Sequence, residues 1–188
     1  TAYGENMTVT NTEVEKRNIV ATGEELYNNA DSNDKVIVYF KNGGYDVAAY
    51  EVKVAPNQKD VNLAFNTNEI ANLASDYDKV EFEFITFEAY NAGSGANRFN
   101  NSGTMYFNAI GGDDTAVYEY ADGVLTKLDG KYDSVDKTIA VNGIKHLTSY
   151  VVASEELTEE EPEEEDSSSS APTDEVPSTP ANPSTGAL

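Results

Sequence analysis

The chain has 188 residues, with 34 Asp or Glu against 12 Lys or Arg, a formal charge of −22 at pH 7. A surface this acidic repels phosphate backbones and anionic headgroups, which argues against nucleic-acid or membrane-surface binding. There is no Cys, so disulfides, thiolate metal sites and Cys nucleophiles are excluded together, and no apolar run approaches the length that spans a bilayer. Thr1 does not open a signal peptide.

The charge divides unevenly. Nine of the 34 acids and five of the six prolines fall in residues 158–188, which hold no Lys or Arg; the rest carries 25 acids against 12 bases, a net of −13. The expected organisation is a folded domain over 1–157, long enough to bury its own core, followed by a disordered acidic Ser/Pro-rich tail over 158–188.

Along the domain, strand-like runs of Val, Ile, Tyr, Phe and Thr alternate with clusters of Gly, Asn and Asp. Short strands are expected near Thr8 and Ile19, then over 35–41, 45–54, 61–65, 79–90, 104–110, 116–120, 124–128, 138–141 and 149–153. Asn42-Gly43-Gly44 and Asp122-Gly123 read as hairpin turns. A short turn is expected at Glu24 to Leu26. One helical turn or two is expected within 67–75, capped by Thr67, with Ile70, Leu73 and Ala74 on one face. Within 79–90, Val80, Phe82 and Phe84 alternate with Glu81 and Glu83, but the apolar phase then passes to Ile85, Phe87 and Ala89, so a bulge or sheet crossing is expected near Ile85. Strands about ten residues apart, joined by tight turns, imply an all-β, antiparallel two-sheet sandwich, immunoglobulin-like or jelly-roll.

The tail runs through clustered glutamates and four serines, 167–170, into mixed Pro, Thr and Ala. It has too few apolar groups to offset the entropy of ordering, and reads as a spacer spanning roughly 30 Å as a coil and about 95 Å fully extended. It leads to Asn182-Pro183-Ser184-Thr185-Gly186, which resembles the Asn-Pro-x-Thr-Gly variant of the signal by which sortases attach surface proteins to Gram-positive cell walls. The resemblance implies that Thr185 is the acyl donor, that the bond to Gly186 is cut, and that sortase and cell-wall peptidoglycan are partners. A complete signal of that family continues into a hydrophobic span and a basic end, whereas this sequence stops at Leu188.

A second resemblance covers about 40 residues. Tyr118-Glu119-Tyr120-Ala121-Asp122-Gly123-Val124-Leu125-Thr126-Lys127-Leu128, followed by Leu147-Thr148-Ser149-Tyr150-Val151-Val152-Ala153-Ser154-Glu155-Glu156-Leu157, is similar to the closing hairpin and last strand of uncharacterised surface proteins of gut Firmicutes. It implies an extracellular, cell-wall location.

Catalytic signals are weak. His146 is the only His, and a structural or solvent-facing role suits it better than catalysis. No His-Glu-x-x-His pattern or P-loop occurs, and Gly93-Ser94-Gly95 lacks the leading Gly of a nucleophile elbow. Acids are too abundant for any pair to identify a glycosidase. Asp31-Ser32-Asn33-Asp34 and Asp113-Asp114 could offer Ca²⁺ ligands, although Lys35 spoils an EF-hand pattern; loop solubility explains them as well. The absence of a cofactor is expected. The sharper possibility is carbohydrate binding. The chain has 12 Tyr and no Trp, and aromatic faces with Asn or Asp neighbours hold sugar rings, making Tyr45, Tyr50, Tyr90, Asn91 and Tyr106 candidates.

The expectation is a non-catalytic, wall-anchored module for adhesion or ligand binding, with a glycan or host surface as partner. The alternatives are a pilin-like or stalk subunit, stiffened by a Lys-to-Asn amide bond drawn from Lys53, Lys79 and Asn142, and a surface glycoside hydrolase.

Overall fold

The computed structural model describes residues 7–11, 18–21, 35–42, 45–89 and 96–158. The chain divides after Glu156 into two units, and the first is described here. The turn expected at Glu24 to Leu26, the glycines of the hairpin turn expected at Asn42-Gly43-Gly44, Gly93-Ser94-Gly95 and the tail motif lie outside the described residues.

The fold is all-β. Among the described residues twelve strands follow in chain order: β1 Met7–Asn11, β2 Asn18–Ala21, β3 Lys35–Asn42, β4 Tyr45–Lys53, β5 Val61–Asn66, β6 Phe82–Ala89, β7 Arg98–Asn108, β8 Ala116–Ala121, β9 Val124–Lys127, β10 Gly130–Asp133, β11 Thr138–His146 and β12 Ser149–Ala153. They form two six-stranded sheets. Sheet A has the order β1-β3-β4-β7-β11-β10, antiparallel except where β1 lies parallel to β3. Sheet B is antiparallel throughout, in the order β2-β5-β6-β12-β8-β9.

Alternation sets the faces. In β3, Val36, Val38 and Phe40 are buried while Ile37, Tyr39 and Lys41 are half-exposed; in β7, Met105 and Phe107 are buried between Thr104, Tyr106 and Asn108. The buried residues of β3, β4, β7 and β11 join those of β5, β6, β8 and β12 in one apolar cluster. Phe40 of sheet A sits edge-on to Phe65 and Phe87 of sheet B at 5.6 and 4.7 Å, and Phe107 of β7 lies 5.3 Å from Tyr150 of β12.

Turn chemistry holds as expected at Asp122-Gly123, where both residues have positive φ (52° and 78°), the geometry of the hairpin turn that joins β8 to β9. The chain passes from sheet A to sheet B between β11 and β12. There the Tyr150 hydroxyl donates to the His146 carbonyl at 3.2 Å and accepts the Thr148 N–H, a bond of the type that pins corners in β proteins.

Two expectations need correction. No bulge or crossing occurs near Ile85: β6 is continuous, and its pairing with β12 runs without a break from Phe82↔Ala153 to Thr86↔Ser149. Ile85 and Phe87 enter the core, while Phe82 and Phe84 lie on the opposite face, stacked on each other at 5.5 Å with Tyr77 against Phe82. The apparent phase switch came from a strand with aromatic residues on both faces. Register shifts fall elsewhere: between β11 and β7 around Ile144, and in β4, where the register against β3 shifts between Phe40 and Lys41 and both Val47 and Ala48 are buried. The one or two helical turns expected over 67–75 are a single turn that starts later, Leu73–Asp76. Asn72, not Thr67, stands at its start; Ile70 and Leu73 are buried, and Ala74 is exposed.

Candidate functional site

The outward face of sheet A is built by the side chains that alternate with the core. Pairing aligns Tyr39 of β3, Ala49 of β4, Tyr106 of β7, Ala140 of β11 and Lys131 of β10 in one row across the sheet. Directly paired residues share a face, so the tyrosines stand two strands apart, about 10 Å between backbones. Ala49 and Ala140 flank Tyr106 and leave the flanks of its ring uncrowded. The rows on either side are polar: Glu51 pairs with Thr104, and Asn108 pairs with Thr138. Of these, Tyr39, Ala49, Glu51, Tyr106, Asn108 and Thr138 line a concavity of about 560 Å³ together with Ile37, Asp46 and Asp136.

The polar groups are held in place. The Tyr106 hydroxyl donates to Glu51 Oε1 at 3.0 Å, and its pKa is pushed up to about 12, chiefly by burial, then by the hydrogen bond to Glu51 and the charges of Glu51 and Asp136. Asn108 Nδ2 donates to the Asp46 carbonyl at 2.8 Å, and Lys41 pairs with the Asp46 carboxylate. The face therefore carries two tyrosines, the hydroxyl of Tyr106 held by the Glu51 carboxylate, with Asn108 and the Lys41–Asp46 pair on the same concavity or at its rim.

The expected site residues separate. Tyr106 lies on this face. Tyr45 stands beside it, 52% exposed, at a smaller hollow of about 240 Å³ lined by Asn42, Thr67, Phe82 and Glu83 among others. Its hydroxyl donates to Glu83 Oε2 at 2.5 Å and accepts from Asn108 at 3.1 Å. Burial and Glu83 push its pKa up to about 12, while the Asn108 bond opposes them. Tyr50 is a correction: it is fully buried against Phe99 and Tyr150's neighbourhood in the core, and its hydroxyl donates to the Ile144 carbonyl at 2.5 Å, so it presents no ring to a ligand. Burial raises its pKa first, with Tyr150 adding. Tyr90 and Asn91 lie outside the described residues.

Tyr39, Asp46, Glu51, Asn108, Asp136 and Thr138 were not singled out from sequence. The signal was present for Tyr39, which sits in phase with Lys35 and Lys41 and out of phase with Val36, Val38 and Phe40. By the same reasoning Tyr50 is in phase with Val52 and Val54, and Glu51 and Lys53 are its outward neighbours.

Other candidates find little support. Asp113 and Asp114 are exposed on a 3₁₀ turn, Gly112–Asp114, and line an acidic hollow with Asp129, Glu155 and Glu156. No group of three or more His, Asp or Glu among the described residues could hold a metal ion, and Asp31 to Asp34 lie outside them. His146 is half-buried at the end of β11, its pKa lowered by burial and by Arg98, against an opposing effect of Glu119. Lys53, Lys79 and Asn142 are all exposed, and Asn142 Oδ1 accepts from the Thr104 hydroxyl at 2.7 Å. The buried polar or charged residues among those described are Gln58 and Asn97, so no buried acid stands beside these three. No helix among the described residues is long and apolar enough to cross a membrane.

Comparisons with protein-family models, with curated proteins and with solved structures find no match to this chain.

Proposed function

We propose that the chain is a non-catalytic carbohydrate-binding module whose outward sheet A face is the sugar platform. The observation that carries this reading is the row Tyr39-Ala49-Tyr106-Ala140, in which two phenol rings share one face about two strands apart. Pyranose rings turn a face of C–H bonds toward the electron-rich face of an aromatic ring, and their equatorial hydroxyls then lie within reach of groups at its edge. Here those groups are Glu51, Asp46, Asn108 and Thr138. A spacing of about 10 Å suits alternate residues of an extended glycan better than a single sugar.

The framework we favour is a sandwich of the immunoglobulin-like or jelly-roll class, supported by the apolar cluster to which both sheets contribute and by the corner bond of Tyr150. A platform on its outer face needs no cleft, and so suits polymer binding.

The test is native affinity electrophoresis through gels containing a mixed-linkage β-glucan, a xylan or a galactomannan. Retardation by at least one of them is expected, with Tyr39→Ala and Tyr106→Ala each weakening it by about tenfold, the worth of one stacked ring. Migration unchanged in every gel would end the platform reading.

We further propose that the module is displayed on a Gram-positive cell wall through the acidic tail, on the strength of the motif Asn182-Pro183-Ser184-Thr185-Gly186 and the spacer that precedes it. With a hydrophobic span and basic end fused after Leu188, expression in a sortase-competent host should link the protein to wall peptide at Thr185, and Thr185→Ala should release it to the medium. Release of both forms alike would sink this part.

A further inference from the structure

In a chain with nearly three acids for every base, one hollow has only bases among its charged lining residues. Lys59, Arg98 and Lys145 surround a concavity of about 740 Å³, together with the amides of Asn57, Asn100 and Asn101, and neither Asp nor Glu lines it. All three cations are exposed. The ion pairs formed among the described residues, Lys41 with Asp46 and Lys127 with Glu156, involve none of them. Three like charges sharing one hollow repel one another, and a bound anion would turn that repulsion into attraction.

The hollow is built on buried polar groups. Gln58 is 6% exposed; its amide nitrogen donates to the Lys59 carbonyl at 2.7 Å and the Arg98 carbonyl at 3.4 Å, and its oxygen accepts the Asn100 N–H at 2.9 Å. One side chain thus fixes the backbone of two of the lining cations. Asn100 Nδ2 then reaches the Asn57 carbonyl at 2.7 Å. Asn97, 7% exposed, exchanges two hydrogen bonds with the Leu147 backbone, at 2.8 and 3.0 Å, so the start of β7 is tied to the end of β11. Lys145 projects from the irregular stretch between Ile144 and His146, where the β7 register shifts. Burying unpaired amides would be costly, and here the Gln58 amide both donates and accepts and the Asn97 amide nitrogen donates, all to the segments that carry or adjoin the charges.

We propose that this hollow binds an acidic carbohydrate, a glycan bearing carboxylate or sulfate groups. The guanidinium of Arg98 offers a planar fork suited to either group, the lysines add charge without geometric demand, and the asparagine amides suit neighbouring hydroxyls. A nucleic acid is the poorer fit. Three cations displace few counterions, the molecule's net charge repels a long phosphate backbone, and Phe99, at 3% exposure, offers no face for base stacking. Six residues of β7, about 20 Å, separate Asn100 from Tyr106, and the two sites share no side chain. The acidic-glycan site therefore goes beyond the platform and can fail or stand without it.

The experiment is calorimetric titration of the full chain at about 150 mM NaCl with four probes: oligogalacturonate, chondroitin sulfate oligosaccharide, sodium sulfate, and a single-stranded oligonucleotide of matched charge. One or both acidic glycans should bind, and comparing them distinguishes carboxylate from sulfate. Arg98→Gln should weaken binding by about tenfold, and Lys59→Gln with Lys145→Gln should do the same while reducing the salt dependence. Tyr39→Ala and Tyr106→Ala should leave it unchanged. Thermal melts of each variant confirm the fold, which these exposed positions should not disturb. The proposal is overturned if neither glycan binds, if binding survives at full strength in the triple variant, if free sulfate binds as tightly as the glycans, or if the oligonucleotide binds more tightly than both.

Discussion

Gly103 shows how much one residue decides. It lies in β7 opposite Val52, and a Cβ there would meet the Glu51 carbonyl oxygen at 2.5 Å and the Tyr50 ring at 2.7 Å. The missing side chain is the space into which the Tyr50 ring folds, so that its hydroxyl can reach Ile144 across a strand irregularity. Gly103→Ala must displace either backbone or a fully buried ring, and should destabilise the domain by about 3 kcal/mol. A urea titration reads this as a lowered midpoint with unchanged slope; a midpoint within error of the parent would show that the ring has another place to go. The same contact explains why Tyr50 misleads a reader looking for sugar-binding rings. Composition identifies tyrosines, but only the phase of a strand says which way each one faces, and in β4 that phase passes through the bulge at Val47 and Ala48.

At the scale of elements, most of the fold is legible because strand alternation and turn chemistry are local. Each expected strand overlaps an observed one, although 79–90 narrows to Phe82–Ala89, 104–110 proves to be the end of Arg98–Asn108 and 138–141 extends to His146, and Asp122-Gly123 marks its hairpin by backbone sterics alone. What escaped has little hydrophobic content. β10 is Gly-Lys-Tyr-Asp, with Tyr132 its sole apolar contribution, and the first half of β7, Arg98 to Gly103, is polar except for Phe99. These strands exist because a neighbour supplies a ladder of backbone partners, β11 in both cases. The candidate sites were less legible for a related reason. Tyr39 and Tyr106 lie 67 positions apart in sequence and meet only because β4 runs between β3 and β7. The basic hollow likewise draws on the loop after β4, the start of β7 and the end of β11.

For the whole molecule, acidity and tyrosine content act together at high pH. Tyr45 and Tyr106 hold their protons to about pH 12, and burial raises Tyr50 and Tyr150 as well. An unfolded chain gives up phenol protons near pH 10. Below that, both states keep them and stability is unaffected. Between about 10 and 12 the folded state binds more protons than the unfolded, so stability falls as pH rises through this window. The charge of −22 pushes the same way, because loss of lysine protons adds to self-repulsion. Salt separates the two causes. At about 1 M NaCl the screening length is near 3 Å, which suppresses the repulsion and leaves the phenol contribution. Urea midpoints at pH 9, 10 and 11 should fall in both low and high salt; a decline abolished by salt would remove the tyrosines from the explanation.

The position of β12 has a consequence for the order in which the domain can be completed. Its five residues lie between β6 and β8, so until they are in place sheet B is two fragments, β2-β5-β6 and β8-β9, with no hydrogen bonds joining them. A ribosome delivers those five residues after every other strand described here. Sheet B is therefore completed last: its two fragments stay unjoined until Ser149–Ala153 has emerged, and the facing edges of β6 and β8 keep unpaired backbone groups until then.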